Sequence, residues 1–323
     1  MVKVKQFTGI DISKLTFDTG TPGNEQGKYT HKKFSNEING FQAFEKLIPT
    51  GCTCVMEASG SYYLPLATYL YERGIEVMVV NPLAVKYFSR MRMTRAKTDK
   101  KDAALIAEYA KQENPKLWKP KADHLLELQQ LQTALDGFIG RKTELSNQQE
   151  SFVASGIKAK TALNIIKKEI EHMAGCIKKI ETLMKEIIEK HHKALFIRLK
   201  SIPGIGKRTA MMLILISDGF TKFDTAKEVV AYIGLCPRIY DSGTSVKGKA
   251  RICKMGMSQM RALLYMCSMQ AKKYNSGCMI MFARLKAKGK NGKLILIAIA
   301  NKLVRQAFAI AKGEVNYDKN LVV

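Results

Sequence analysis

The amino-acid sequence predicts an α/β domain, then an antiparallel coiled-coil helical hairpin, and then a mainly α-helical C-terminal domain. Short apolar strands alternate with helices over residues 1–120, and apolar residues recur every three or four positions over 121–198. Residues 199–323 combine apolar helices with many basic residues. The 323-residue chain has 46% hydrophobic residues, enough for more than one core. We therefore place domain boundaries after residues 120 and 198.

The first domain is predicted to begin with three antiparallel strands and to continue with a strand–helix–strand unit. The expected strands are Val2–Asp11, Leu15–Asp18, Lys28–Phe34, Cys52–Met56 (ending at Glu57) and Ile75–Val80. Expected helices run from Ser35-Asn36-Glu37 to about Leu47 and from Gly60-Ser61 to Glu72. This pattern is typical of the ribonuclease H fold.

Four carboxylates stand at the ends of these elements. Asp11 ends the first strand, Glu57 ends a later strand, and Asp99 and Asp102 share one face of the first turn of a helix that begins near Thr98. A carboxylate at the end of a buried strand is costly unless a partner or a cation compensates it. A turn would explain Asp11 and helix capping would explain Asp99, but neither explains all four residues.

The middle segment contains a regular apolar stripe. Its members are separated by 3-4-3-4-3-4-3 positions, which is the coiled-coil period; they are Leu163, Ile166, Ile170, Met173, Ile177, Ile180, Met184 and Ile187. A weaker seam precedes it from Leu128 onward. The stripe is explained equally well as the internal core of one hairpin and as a surface for assembly.

The C-terminal domain opens with a helix-hairpin-helix pattern. Ile202-Pro203-Gly204-Ile205-Gly206 precedes a helix that begins near Lys207 and Arg208. The glycines let the backbone approach a phosphate, and the helix N-terminus offers free N–H groups to it. Such motifs also serve as packing elements alone.

A serine surrounded by cations follows. Ser242-Gly243 is expected in a flexible loop, and Asp241 is the acid beside it. The basic residues around this loop are Arg238, Lys247, Lys249, Arg251, Lys254 and Arg261. A Ser-Gly pair usually marks a turn, but in a polyanion-binding region such a serine could attack a phosphodiester.

Net charge points to a polyanionic partner. The chain carries +25, of which residues 201–323 contribute an excess of 15 positive charges. The seven cysteines lack paired CxxC spacing and indicate a reducing compartment. No signal peptide is recognised, and the apolar runs Ala210–Ile216 and Leu294–Ala300 are too short to span a bilayer. We expect a soluble, cytoplasmic, nucleoid-associated protein without a membrane segment.

These motifs together resemble a known family. The order Asp11, Glu57, Asp99 and Asp102, in the stretches GIDISKLTFD, VMEASGSYY, VNPLAVKYF and RAKTDKKDA, resembles the RuvC-like domain of DEDD-type insertion-sequence transposases. The stretches IPGIGKRTA, YIGLCPR, DSG and ARICKMG resemble the C-terminal transposase domain of the same family. The resemblance covers most of the chain apart from the coiled coil and the tail.

The resemblance implies a recombinase that cuts and rejoins donor and target DNA through a phosphoserine. The matching serine is Ser242, with Ser245 as a rival because Thr244-Ser245-Val246-Lys247 departs from the glycines and arginines common in the family. The four carboxylates would hold Mg²⁺ or Mn²⁺. A noncoding bridge RNA would pair with both DNAs, and a homo-oligomer between dimer and tetramer would share active sites between protomers.

Two other functions fit parts of the sequence. A metal-dependent nuclease acting on branched DNA would use the carboxylates alone and leave Ser242 without a role. A non-catalytic nucleic-acid-binding scaffold would explain the charge but not the order of the carboxylates. A covalent protein–DNA adduct distinguishes the recombinase from both.

Overall fold

The computed structural model describes residues 5–23, 28–93, 98–156, 159–238, 241–242, 246–247 and 251–320. For Asp99 and the four residues 241–242 and 246–247, this description covers the backbone. The chain forms two compact units, residues 1–120 and residues 121–323. Each unit is described by itself.

A five-stranded mixed sheet forms the centre of the first unit. Its strands are β1 (Gln6–Ile12), β2 (Thr16–Pro22), β3 (Tyr29–Ser35), β4 (Cys52–Glu57) and β5 (Val77–Val80). The strand order is β3-β2-β1-β4-β5, with antiparallel pairing from β3 to β1 and parallel pairing from β1 to β5. The predicted α/β arrangement of three antiparallel strands and a parallel extension is therefore confirmed.

Helices cover both faces of this sheet. They are α1 (Ile38–Glu45), α2 (Leu64–Glu72), α3 (Pro82–Met91) and α4 (Asp99–Glu113). Ile10 and Phe17 pack with Phe44 of α1 and Leu70 of α2 on one face. On the other face, Phe7 and Val55 pack with α4. Helix α3 was not predicted. It begins at Pro82, directly after the N-cap Asn81, whose side chain accepts a hydrogen bond from the Leu83 N–H.

The second unit is mostly helical. Its helices are α5 (Asp123–Ala154), α6 (Lys160–Lys200), α7 (Lys207–Ile216), α8 (Ala226–Ile233), α9 (Ser258–Tyr274), α10 (Ser276–Ala287) and α11 (Gly292–Gly313). Four two-residue strands lie between α8 and α9: β6 (Pro237–Arg238), β7 (Asp241–Ser242), β8 (Val246–Lys247) and β9 (Arg251–Ile252). They form two small antiparallel pairs, β6 with β9 and β7 with β8.

The two long helices α5 and α6 pack against each other, and part of their length enters the core of the second unit. Met184 and Ile188 of α6 join Leu128 and Leu135 of α5 in that core. Of the predicted apolar stripe, Ile166, Ile180 and Met184 are buried and the other members are half-buried. Helix α6 leaves helical geometry at His192, where φ is −135° and ψ is 27°.

Helix α11 presents one face to the core of the second unit. Leu303, Val304 and Ala307 are fully buried there. By length and composition α11 is also the one helix of the described chain that could cross a membrane, although core helices of soluble proteins pass the same test. Its uninterrupted apolar run was too short for this to be expected from the sequence.

Three local expectations were incomplete. Helix α8 was not predicted, although Thr225 caps it by accepting a hydrogen bond from the Glu228 N–H at 3.3 Å. Helix α10 was missed because it follows α9 after a single residue, Asn275, whose side chain caps it. Ser242 was expected in a flexible loop, whereas it belongs to β7 and pairs with Val246 of β8.

Candidate active site

Asp11 and Glu57 occupy neighbouring positions at the carboxyl ends of two parallel strands. Strands β1 and β4 are paired with Gly9 opposite Val55 and Ile10 opposite Met56. Asp11 and Glu57 each follow by one residue, so the same register places them side by side. Neighbouring strands lie about 4.8 Å apart, and residues level with each other point to the same face. Both side chains are partly exposed.

That face of the sheet is the one covered by α4. Phe7 and Val55 pack against α4, and Asp11 and Glu57 follow them at even spacing along their strands. A Cβ atom on Gly9 would lie 1.9 Å from the Ala103 carbonyl oxygen and 2.6 Å from the Ala107 nitrogen. The backbone of α4 therefore touches β1 directly, two residues before Asp11 and one residue after Asp102.

The first turn of α4 carries the other two predicted carboxylates. The sequence predicted Thr98 or Asp99 near the cap; Thr98 is the N-cap, and its hydroxyl accepts a hydrogen bond from the Lys101 N–H at 3.4 Å. Asp99 is the first helical residue, and its side chain lies outside the described part of the chain. Asp102 is partly exposed in the same turn.

A further carboxylate, Asp18, was missed as a site residue by the sequence analysis. It stands directly opposite Asp11 in the antiparallel β1–β2 ladder and is 5% exposed. Its oxygens contact His31 Nε2 at 2.7 Å and Lys33 Nζ at 3.6 Å. The sequence signal that could have indicated Asp18 is its position two residues before Gly20. The backbone of Gly20, like that of Gly9, lies against α4. Asp18 thus adds a buried, charge-compensated carboxylate beside Asp11.

The donor set suits a divalent cation in its chemistry. Carboxylate oxygens are hard ligands of the kind that Mg²⁺ and Mn²⁺ prefer, and Asp11 and Glu57 share one face of the sheet. Among the described side chains, no three His, Cys, Asp or Glu residues form a group that could hold a metal ion. The side chain of Asp99 lies outside the described part of the chain, so a complete ligand set from the first unit needs this side chain or a rearrangement of the others.

The serine lies on the second unit, at the end of the small strand β7. Asp241 and Ser242 pair with Lys247 and Val246. The ribbon β6–β9 lies next to it in sequence, with Arg238 opposite Arg251. Ser245 and Lys249 lie outside the described residues, as do the side chains of Ser242 and Lys247.

The predicted nucleic-acid-binding residues of this region divide into two groups. Arg238, Arg251 and Lys254 are exposed, so their charges are open to a polyanion. Arg261 is partly buried, and its Nη1 donates a hydrogen bond of 2.9 Å to the carbonyl of Ile233, the last residue of α8. Arg261 therefore stabilises the fold, whatever else it contacts.

The predicted helix-hairpin-helix residues divide in the same way. Helix α7 begins at Lys207, as expected, and Lys207 is exposed. Gly204 has φ +104°, and a Cβ there would lie 2.8 Å from the Cβ of Ala271, so this glycine is required by packing against α9. A Cβ on Gly206 would meet no atom within 4 Å. Arg208 approaches Asp136 of α5 at 3.9 Å.

Two thiols stand at the start and end of the β6–β9 ribbon. The Cys253 N–H donates a hydrogen bond to the Cys236 carbonyl at 2.8 Å. Burial raises the pKa of the Cys236 thiol, and the neighbouring Cys253 raises it further. Cys236 therefore stays protonated near neutral pH, which makes it a poor nucleophile.

The mixed sheet with carboxylates at adjoining strand ends, joined to a strongly basic helical unit, agrees with the class to which the comparisons assign the chain: transposases, which cut and rejoin DNA. Residues 8–156 match the family model for transposases of the DEDD type of IS110, and residues 197–282 match that of the transposase IS116/IS110/IS902 family. The chain belongs to the IS110 family of transposases.

Its relatives include DNA-inverting and transposing proteins. The pilin gene-inverting protein of Moraxella bovis is 31% identical, over 98% of this chain and 99% of that protein. The transposase for insertion sequence element IS1328 of Yersinia enterocolitica is 25% identical, over 94% of this chain and 95% of that protein.

Proposed function

We propose that this transposase breaks and rejoins donor and target DNA through a phosphoserine formed on Ser242. The observation that carries the proposal is the position of Ser242 at the end of β7, in a segment where the described neighbours Arg238, Arg251 and Lys254 are exposed cations. A relative named for gene inversion agrees with a reaction in which every cut end is rejoined.

The chemical step exchanges one phosphate ester for another. The Ser242 Oγ attacks phosphorus, its proton leaves, and a new O–P bond forms. The bond from phosphorus to the leaving DNA oxygen breaks, and that oxygen takes up a proton. A DNA hydroxyl then attacks the phosphoserine and restores the serine. The phosphate ester is transferred and not hydrolysed, so the strands can be rejoined without an external energy source. The cations around Ser242 would stabilise the charge that develops on phosphorus.

The carboxylates are proposed to hold Mg²⁺ or Mn²⁺ through Asp11, Glu57, Asp99 and Asp102. When bound, such an ion neutralises phosphate charge and orients the scissile bond. Glu57 and Asp11 supply oxygens from one face of the sheet, and the first turn of α4 supplies the rest. Asp18, which contacts His31 and Lys33, is a further carboxylate beside Asp11.

Guidance and assembly complete the proposal. A noncoding bridge RNA would choose donor and target by base pairing, and the excess of positive charge in residues 201–323 would bind RNA and DNA backbones. A dimer or tetramer would bring carboxylates of one protomer to the serine of another. The partly exposed stripe on α6 offers a surface for that assembly.

The experiment is detection of protein-linked DNA on a denaturing gel, with a nicked suicide substrate and the RNA encoded beside the gene. Ser242→Ala is expected to bind RNA and DNA as the parent does, yet to give no adduct and no strand exchange. Ser245→Ala is the matched control and is expected to keep both. Asp102→Ala should lose the adduct through the carboxylate site.

Each other outcome is informative. An adduct that survives Ser242→Ala but not Ser245→Ala moves the nucleophile three residues along the chain. If metal-dependent cleavage occurs without any adduct and neither serine substitution changes it, the phosphoserine mechanism is wrong and the protein acts as a metal-dependent nuclease. Binding without cleavage under any condition favours the scaffold.

A further inference from the structure

A groove of about 1230 Å³ runs along α11 in the second unit. It is larger than the roughly 300–1,000 Å³ typical of small-molecule sites. The groove extends along the helix from Leu294 to Ile310, which at 1.5 Å per residue is about 24 Å. Its size and length therefore suit an extended chain better than a compact metabolite.

The floor of the groove is aliphatic. One face of α11 is buried in the core, and the opposite face lines the groove with Leu294, Ile297 and Ala298. Ile252 and Met281 complete the floor from neighbouring elements. Leu294 is 48% exposed, so this part of the floor is open to solvent. An apolar surface of this extent marks a binding site.

The rim of the groove is cationic. Its basic residues are Arg251, Lys254, Lys293, Lys302 and Arg305. Asp318 is the single acid among the described residues that line the groove. Asn301, Gln306 and Asn316 add amides, of which Asn301 accepts a hydrogen bond from Arg305 Nε at 2.9 Å. The groove therefore complements a ligand that is anionic along its edges and apolar at its centre.

We propose that this groove binds single-stranded DNA, with unpaired bases on the aliphatic floor and phosphates on the cationic rim. Bases that leave the helical stack expose large faces that apolar side chains cover, while their polar edges need donors and acceptors such as the groove amides. A duplex cannot use the floor, because its bases are stacked inside and its outer surface is phosphate and sugar.

The position of the groove connects it with the reaction. Pro237, Arg251 and Ile252 of the β6–β9 ribbon line the groove, and Ser242 lies between these two strands in the sequence. A strand released or unpaired by a cut at Ser242 is the proposed source of the single-stranded DNA. This assignment rests on the proposed function for the source of the strand, but the binding itself requires no cleavage.

The test compares two probes on the full-length chain: a fluorescein-labelled oligothymidine and a duplex of the same length, followed by fluorescence anisotropy. Ala298→Phe fills the floor without changing charge, and Ala287→Phe at the exposed end of α10 is its matched control. Ala298→Phe is expected to weaken oligothymidine binding at least about tenfold and duplex binding less than about twofold, a difference of about 1 kcal/mol or more. Ala287→Phe should change neither.

A second pair keeps the proposal testable if Ala298→Phe fails to fold. Arg305→Gln on the rim is expected to weaken oligothymidine binding several-fold more than Lys312→Gln, which removes the same charge from the same helix outside the groove. Equal losses for both probes, or no loss, would overturn the proposal. Unchanged oligothymidine binding with a smaller sedimenting assembly would assign the groove to contact between copies instead.

The same measurements on the Ser242→Ala chain separate the two proposals. If the groove variants weaken oligothymidine binding but Ser242→Ala still forms the DNA adduct, the phosphoserine mechanism on Ser242 is wrong and the groove assignment stands. If Ser242→Ala loses the adduct but neither groove variant changes oligothymidine binding, the groove assignment is wrong and the phosphoserine mechanism stands.

Discussion

Asp11 and Asp18 face each other across the β1–β2 ladder, at positions directly opposite in register. Like charges in this arrangement repel, and the repulsion is tolerated because His31 and Lys33 lie against Asp18. The outer strand β3 supplies both basic residues, so an edge strand compensates charge for a carboxylate in the middle of the sheet.

Asp18→Ala is expected to destabilise the first unit by about 1–3 kcal/mol, because the half-buried His31 loses its hydrogen-bond partner, the buried Asp18 carboxylate. Trp118, the single tryptophan, packs on the core of this unit and reports its unfolding in urea by fluorescence. Glu37→Ala removes an exposed carboxylate that makes no capping hydrogen bond and should cost less than about 0.5 kcal/mol. Equal effects of the two variants would show that the buried contact contributes little.

Gly9→Ala should displace α4 from the sheet, because the added Cβ would lie 1.9 Å from the Ala103 carbonyl oxygen. We expect a loss of about 1–3 kcal/mol in the Trp118-monitored transition, together with lower DNA cleavage as Asp102 moves away from Asp11. Gly140→Ala in α5, where a Cβ would meet no atom within 4 Å, should leave both unchanged. Full activity of Gly9→Ala would contradict the close approach of β1 and α4.

Acid is expected to destabilise the second unit through two histidines. His124 and His192 are joined Nε2 to Nε2 at 3.0 Å. Burial lowers the pKa of each, and neighbouring histidine charge lowers it further. The unfolded chain, with pKa values near 6.5, then binds more protons than the folded chain, so stability is lost as pH falls below about 6.5.

The check is the melting temperature of the second unit, followed by circular dichroism between about pH 7.5 and 5.5. His124→Gln should flatten the pH profile, because the proton-excluding pair is gone. His172→Gln, on an exposed stretch of α6, should leave the profile as it is. A parent profile without any acid-side decrease would refute the assignment.

Arg251 and Arg261 are expected to respond differently to the same substitution. Arg251→Gln should reduce the slope of log affinity against log salt by about 1 and leave the melting temperature unchanged, because its exposed charge is proposed to contact phosphate. Arg261→Gln should lower stability by about 1–3 kcal/mol, because the Ile233 carbonyl loses a charged donor. The measurements are DNA titrations over a salt series and thermal melts, and reversed outcomes would exchange the two roles.

Assembly is expected to involve the outer side of α6. Ile165 and Leu183 are 59% and 39% exposed, and their separation of 18 residues is five helical turns, so they share one side. Replacing both by Glu should lower the sedimenting mass without changing the melting temperature. Lys178→Glu makes the same change in net charge on another side of the helix and should leave the mass unchanged. An unaltered mass for the double variant would exclude this side of α6 from assembly.

Much of the first unit could be predicted from the sequence. The short apolar runs indicate the strands, and Asp11 and Glu57 stand where two of these runs end. Asp11 and Glu57 lie at adjacent positions because the neighbouring parallel strands β1 and β4 end at one edge of the sheet. Asp18 escaped notice because its importance depends on pairing register, which the Ser13–Thr16 turn sets through hydrogen bonds that composition does not reveal. The contact of Arg261 with the Ile233 carbonyl was not predicted for a similar reason, since the two residues are 28 positions apart in the sequence.

The break in helical geometry at His192 has a mechanical consequence. From Lys160 to His192, α6 extends about 48 Å at 1.5 Å per residue. A change of about 10° in the bend at His192 would carry the far end of the helix through about 8 Å, roughly the spacing of two packed helices. Because Met184 and Ile188 lie before the break and are buried with Leu128 and Leu135, any such change would carry α5 with it, and the two helices would move together as one arm.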